Sequence, residues 1–180
     1  MQIGFRAWTG LVLAVAMTTA GASCKAKRRV RVDTVEDEAG PLASVVRMSE
    51  PKTAVQLVRG FYALEQGAWR WTKSQFSVTL RPPSGVAQNG ARVEMKLTVP
   101  EAVIAKVPVM TLFCTVNGQA LEPEKITKAG DLLYQRDVGG SALTGEAVTF
   151  DFHVDKFLAA GQVEERELAL IVLSIGLVKK

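Results

Sequence analysis

Hydrophobic and polar residues alternate along most of the chain with the period of a strand, in which successive side chains point to opposite faces. Val93, Met95, Leu97 and Val99 alternate with Arg92, Glu94, Lys96 and Thr98, the clearest half-buried strand in the sequence. Phe76, Val78 and Leu80 alternate with Ser77 and Thr79, and Leu112, Cys114 and Val116 share one face. Asn117-Gly118 then supplies a tight hairpin turn into Ala120 and Leu121. A shorter run sets Leu132 and Tyr134 against Leu133 and Gln135. Val148, Phe150, Phe152 and Val154 oppose Thr149, Asp151, His153 and Asp155. The final run, 168–178, is apolar on both faces, the mark of a central strand. The run 55–64 reads as a strand bent at Gly60, and 100–107 is the best candidate for a helix.

Turn-forming groups separate these runs: Pro82-Pro83-Ser84-Gly85, Ala129-Gly130-Asp131, Gly139-Gly140 and Ala160-Gly161. Short strands at close spacing, with no long helical stripe, predict an all-β fold. The expected form is an antiparallel β-sandwich, jelly-roll-like, over residues 46–180. No internal repeat is visible.

The N-terminal quarter follows a different pattern. Residues 7–22 carry no charge, 11–17 is a continuous apolar run, and Arg6 precedes it. A basic start, a short apolar stretch and small residues after it make a secretory signal over 1–23. A membrane-spanning helix needs about 20 predominantly apolar residues, and Thr18, Thr19 and Gly21 interrupt this run too early. Ala20-Gly21-Ala22 suits ordinary cleavage before Ser23. Gly21-Ala22-Ser23-Cys24, however, resembles a bacterial lipobox, with glycine where that motif usually carries leucine. The resemblance implies that Cys24 is acylated and becomes the mature N-terminus.

Lys25, Lys27, Arg28, Arg29 and Arg31 follow directly, a basic cluster that strengthens the hold of acyl chains on anionic headgroups. Asp33, Glu36, Asp37 and Glu38 then reverse the sign before Gly40-Pro41. Such charge blocks do not pack, so residues 24–45 are expected to form a flexible stalk. The address expected from this segment is the cell envelope, with the chain lipid-anchored to a bacterial membrane. A secreted or periplasmic protein is the alternative.

Composition narrows the chemistry. The 22 basic and 18 acidic residues leave a net charge of +4, too small and too scattered to argue for nucleic acid. One histidine and two cysteines provide little for a metal site or a redox pair, and no cofactor is expected. There is no glycine-rich phosphate loop and no serine nucleophile in a recognisable turn. Cys114 reads as a buried free thiol. His153 with Asp151 and Asp155 reads as a solvated strand face, since same-face neighbours lie about 7 Å apart. A hydrolase built on these residues, or on Glu65, is the weakest of the functions considered, and the chain is read as non-catalytic.

The most unusual composition lies at 60–72. Gly60-Phe61-Tyr62-Ala63-Leu64-Glu65 precedes Trp69-Arg70-Trp71-Thr72, and two tryptophans two residues apart share one face of a strand. Two readings stand. In the first, Trp69 and Trp71 fill the core and Glu65 pairs with Arg70 or caps a turn. In the second, an indole stacks on a sugar ring while Glu65 and Arg70 bind its hydroxyls. The segment resembles the carbohydrate-binding-like β-sandwich domains appended to bacterial glycosyltransferases and cell-surface glycan proteins. That resemblance implies Glu65, Trp69, Arg70 and Trp71 as ligand-binding candidates and a glycan or another envelope component as partner. The rival is a structural or assembly lipoprotein that binds another protein, with both tryptophans in its core.

Overall fold

The computed structural model describes residues 41–180. The expected signal segment, the lipid-attachment residue Cys24, the basic cluster 25–31 and the stalk up to Gly40 lie outside the described residues.

The described residues form ten strands: β1 (Val45–Arg47), β2 (Leu57–Phe61), β3 (Arg70–Leu80), β4 (Ala91–Val99), β5 (Met110–Val116), β6 (Gln119–Ala120), β7 (Glu124–Ile126), β8 (Gly130–Val138), β9 (Val148–Val154) and β10 (Ile171–Lys179). Two short α-helices, α1 (Val86–Asn89) and α2 (Glu101–Lys106), and two 3-10 turns complete them. The fold is all-β with antiparallel pairing throughout, as the alternation predicts. Hydrogen bonding runs continuously in the order β6-β5-β9-β3-β10-β4-β8, with β1 on β10, β2 on β3 and β7 on β5.

The join is β3. Its first residues pair with β10 (Trp71 opposite Ile171, Arg70 opposite Val172), whereas Gln75 to Leu80 pair with β9. Between these two stretches, the Ser74 amide donates to Glu167 Oε1 at 2.5 Å. The sheet curls there, so that inward side chains of β8 and β9 meet: the Tyr134 ring stands edge-on to Phe152 at 6.1 Å.

Burial follows the alternation. Val93, Met95, Leu97 and Val99 are buried, while Arg92 and Lys96 are exposed. The inward residues of β3, β5 and β9 join them in one core with Val172, Ile175 and Leu177 of β10. β10 is central, with β4 on one side and β1 and β3 on the other. Burying about thirty such side chains is the main drive to fold, each contributing about 1.5–3 kcal/mol before chain entropy is charged against it.

Three local differences from the sequence reading have clear causes. Residues 51–56 form a 3-10 turn, so the expected strand over 55–64 shortens to β2. Pro51 at the start of that turn fixes its φ where the helix needs it. Second, ordered structure begins before residue 46. Gln56, 3% exposed, exchanges hydrogen bonds with both backbone groups of Ala43 and donates to the Thr79 carbonyl, tying residues assigned to the stalk onto β3. Third, strand pairing in the last segment begins at Ile171 rather than Leu168, which instead bridges to Leu158 across a loop.

Candidate functional site

β2 and β3 form a hairpin. Phe61 lies opposite Thr72, and the Tyr62 amide donates to the Trp71 carbonyl at 3.0 Å. Glu65 pairs with Trp69 across a turn whose central residues Gln66 and Gly67 both have positive φ (50° and 67°). That geometry matches the twist of the strands it connects. Gly60 makes the hairpin possible at its other end. Its φ is 77°, and a Cβ there would lie 2.0 Å from the Gln75 carbonyl oxygen.

Alternation along β3 sends Phe76, Val78 and Leu80 into the core and leaves Trp71, Lys73, Gln75, Ser77 and Thr79 on the outer face. Trp69 stands two residues before Trp71. Both indoles are half-buried, and Trp71 also packs against the margin of the core. Neither is a core residue, as one of the two sequence readings had it. Their rings meet edge to face, centroids 6.3 Å apart and planes at 81°, so they do not form one flat platform. A ligand ring can lie on one indole and abut the other.

Glu65 comes to this cluster with a different cation from the one expected. Its carboxylate accepts from Arg166 at 2.7 Å, and Arg166 also binds Glu164. The guanidinium lies 5.1 Å from the centre of the Tyr62 ring, and the Lys73 ammonium 5.8 Å from it. The hydrogen bond to Glu164, then that to Glu65, holds the Arg166 pKa above its ordinary value, so it stays charged. Partial burial, followed by the nearby Glu167 carboxylate, pushes the Tyr62 hydroxyl upward. With side chains 32% and 35% exposed, the Glu65–Arg166 pair is worth about 1 kcal/mol or less, and its effect is positional.

Arg70 is used otherwise. It donates to the Tyr62 carbonyl at 2.9 Å, and its Nε is buried without a hydrogen-bond partner. Of the four sequence candidates, Glu65, Trp69 and Trp71 gather together. Arg70 serves the hairpin backbone, and Arg166 supplies the guanidinium beside Glu65. No local signal could have named Arg166, because it reaches the hairpin from the long connection between β9 and β10.

The Asp151, His153 and Asp155 side chains are engaged separately. Asp151 accepts from Arg59 at 3.0 Å and from Ser77 at 2.5 Å. The His153 ring stacks on Phe113 at 4.5 Å, with planes 5° apart. Asp155 accepts from the Thr111 amide at 2.6 Å. No three His, Cys, Asp or Glu side chains among the described residues are gathered as around a metal ion. Arg59, Gln75, Thr115, Asp151, Phe152 and His153 line a shallow depression of about 260 Å³ on this outer face.

Cys114 faces the core, where burial pushes its thiol up to about 12. The neighbouring Tyr134 hydroxyl is also pushed up by burial and has no hydrogen-bond partner. Neither group is reactive or accessible in this state.

No protein-family model matches the chain, and no curated protein matches its sequence. Among solved structures, it is similar to a family GH115 4-O-methyl-α-glucuronidase with specificity for decorated arabinogalactans, at a TM-score of 0.43 and 9% identity. The match covers 77% of this chain and 18% of that one, so the chain spans under a fifth of the enzyme's length.

Proposed function

We propose that this chain is a non-catalytic, exported envelope protein whose β domain binds a glycan at the Trp69–Trp71 end of the β2–β3 hairpin. An acylated Cys24 and the basic residues Lys25, Lys27, Arg28, Arg29 and Arg31 hold it to a bacterial membrane. One observation carries the binding reading. Two part-exposed indoles stand beside a fixed carboxylate–guanidinium pair, Glu65 and Arg166, and a third aromatic ring, Tyr62. Sugars present apolar C–H faces and hydroxyl edges together, and a site with rings and placed polar groups suits both.

The binding test is tryptophan fluorescence of the full chain in detergent. Acrylamide should quench it, and a bound glycan should protect it. The anchoring test is metabolic labelling with palmitate, expected in the wild type and absent in Cys24→Ser. An unlabelled mature chain beginning at Ser23 would remove the anchor while leaving export.

A second reading, a protein-binding assembly lipoprotein, has its own observation. Leu133 and Leu173 are 47% and 39% exposed and line one apolar depression with Leu97 and Leu132. Isolated apolar residues are ordinary at surfaces, but grouped ones mark contact sites. Under that reading, Leu133→Ser abolishes partner capture and Trp71→Ala does not.

A further inference from the structure

We infer that the ligand is a linear oligosaccharide lying along the outer row of β3, from Trp69 and Trp71 past Lys73 to a second subsite formed by Arg59, Gln75, Asp151, His153 and Phe113. This inference rests on the glycan-binding reading and gives it a length and a direction.

The row is continuous. Alternate residues of a strand lie about 7 Å apart on one face, so Trp69, Trp71, Lys73 and Gln75 mark a track of about 20 Å. That exceeds a single pyranose ring several times over. The pairing of β3 with β9 and β9 with β5 widens its far end into a polar floor. Gln75 lies opposite His153, Ser77 opposite Asp151, Phe113 opposite His153, and Thr115 opposite Asp151. Arg59, from β2, forms a wall. Its Nε donates to Ser77 Oγ at 2.8 Å and its Nη2 to Asp151 Oδ1 at 3.0 Å. The guanidinium covers Ser77, which is 1% exposed, while the Arg59 and Asp151 side chains remain 56% and 47% exposed.

The chemistry of this end matches that of the first. Phe113 and His153 stack in parallel and present an apolar ring beside a polar edge. Asp151 offers acceptor capacity at a carboxylate already fixed in place, while Arg59, Gln75 and His153 offer donors. Lys73 lies between the two ends, exposed and without an acidic partner among the described residues, free to donate to ring or hydroxyl oxygens. The far end alone is shallow. A chain that engages both binds its second end as an intramolecular event, and this raises its affinity.

The test is calorimetric titration of the full chain with chito-, xylo- and manno-oligosaccharides from disaccharide to hexasaccharide. In the series that binds, the hexasaccharide should bind at least tenfold more tightly than the disaccharide. His153→Ala and Gln75→Ala, both at exposed positions, should bring the hexasaccharide down to the disaccharide level and leave disaccharide binding unchanged. Trp71→Ala should weaken both. Equal affinity at all lengths, or no effect of either far-end variant, overturns the second subsite while the Trp71 effect upholds the first. Absence of binding in all three series overturns the glycan reading itself.

Discussion

Glu65 and Arg166 are 101 residues apart in sequence, and their side chains meet at 2.7 Å. The pair fastens the tip of the β2–β3 hairpin to the connection between β9 and β10. Glu167, next to Arg166, fastens the same connection to β3 through the Ser74 amide. Two neighbouring residues of one loop thus hold the tryptophan end of the outer row in place. Each contact is small in energy, and Arg166 also lies 5.1 Å from the centre of the Tyr62 ring.

The two tryptophans should separate in stability but not in binding. Trp71 packs on the core margin and Trp69 does not. Trp71→Ala should therefore cost about 2 kcal/mol or more in urea unfolding, and Trp69→Ala less than about 1 kcal/mol. Either change should weaken the glycan by about 1–3 kcal/mol, the usual worth of ring stacking on an aromatic side chain. Equal and large stability losses would place both indoles in the core.

Met95 and Lys96 test the sheet. Met95 is fully buried in β4, and its neighbour Lys96 points to solvent. Met95→Asp buries an unpaired charge and should cost several kcal/mol, enough to unfold the domain. Lys96→Asp should stay within about 0.5 kcal/mol of wild type. Circular dichroism melting distinguishes the two.

Gly60→Ala should be severely destabilising, because the residue has a left-handed φ and the added methyl meets Gln75 backbone at 2.0 Å. Gly67→Ala is the control. Its φ is also positive, but no atom lies within 4 Å of the new Cβ, so only the backbone cost of about 1–2 kcal/mol remains. Thermal unfolding of the two variants should differ in that order.

Cys114 makes stability fall in alkali. The unfolded chain loses this proton near pH 9, whereas the folded chain keeps it to about 12. Between these values the folded state binds more protons, so stability is full below pH 9 and declines as the pH rises. The slope reaches about 1.4 kcal/mol per pH unit. Tyr134, also pushed upward by burial, adds to the decline at higher pH. Urea unfolding between pH 8 and pH 10 should show the slope in the wild type and a flatter one in Cys114→Ala. In the folded protein at pH 8, iodoacetamide should leave the Cys114 thiol unmodified.

The strands with strict alternation were legible because burial alone decides them: β4, β5 and β9 carry the inward residues that the pattern named. β1 was not legible, because three residues beside a charged stretch carry too little pattern, and Gln56 tethers the chain just before it. β7 is missed for the same reason of length. At the candidate site, the tryptophans were visible as a local cluster. Arg166 was not, since its role depends on where a distant loop lands. The hydrogen bond of Arg70 to the Tyr62 carbonyl was not legible either, since it depends on how the hairpin closes.

The position of β10 has a kinetic consequence. Val45 to Arg47 pair with Ser174 to Gly176, while β4 and the start of β3 lean on the same strand. A chain made from its N-terminus has no partner for β1, and only half of its pairing for β4, until residue 179 has been synthesised. The fold is therefore closed last by its final strand, with contacts of long sequence separation that make folding slow. Until then β1 and one edge of β4 carry backbone groups with no strand to pair with, the kind of open edge on which chains aggregate.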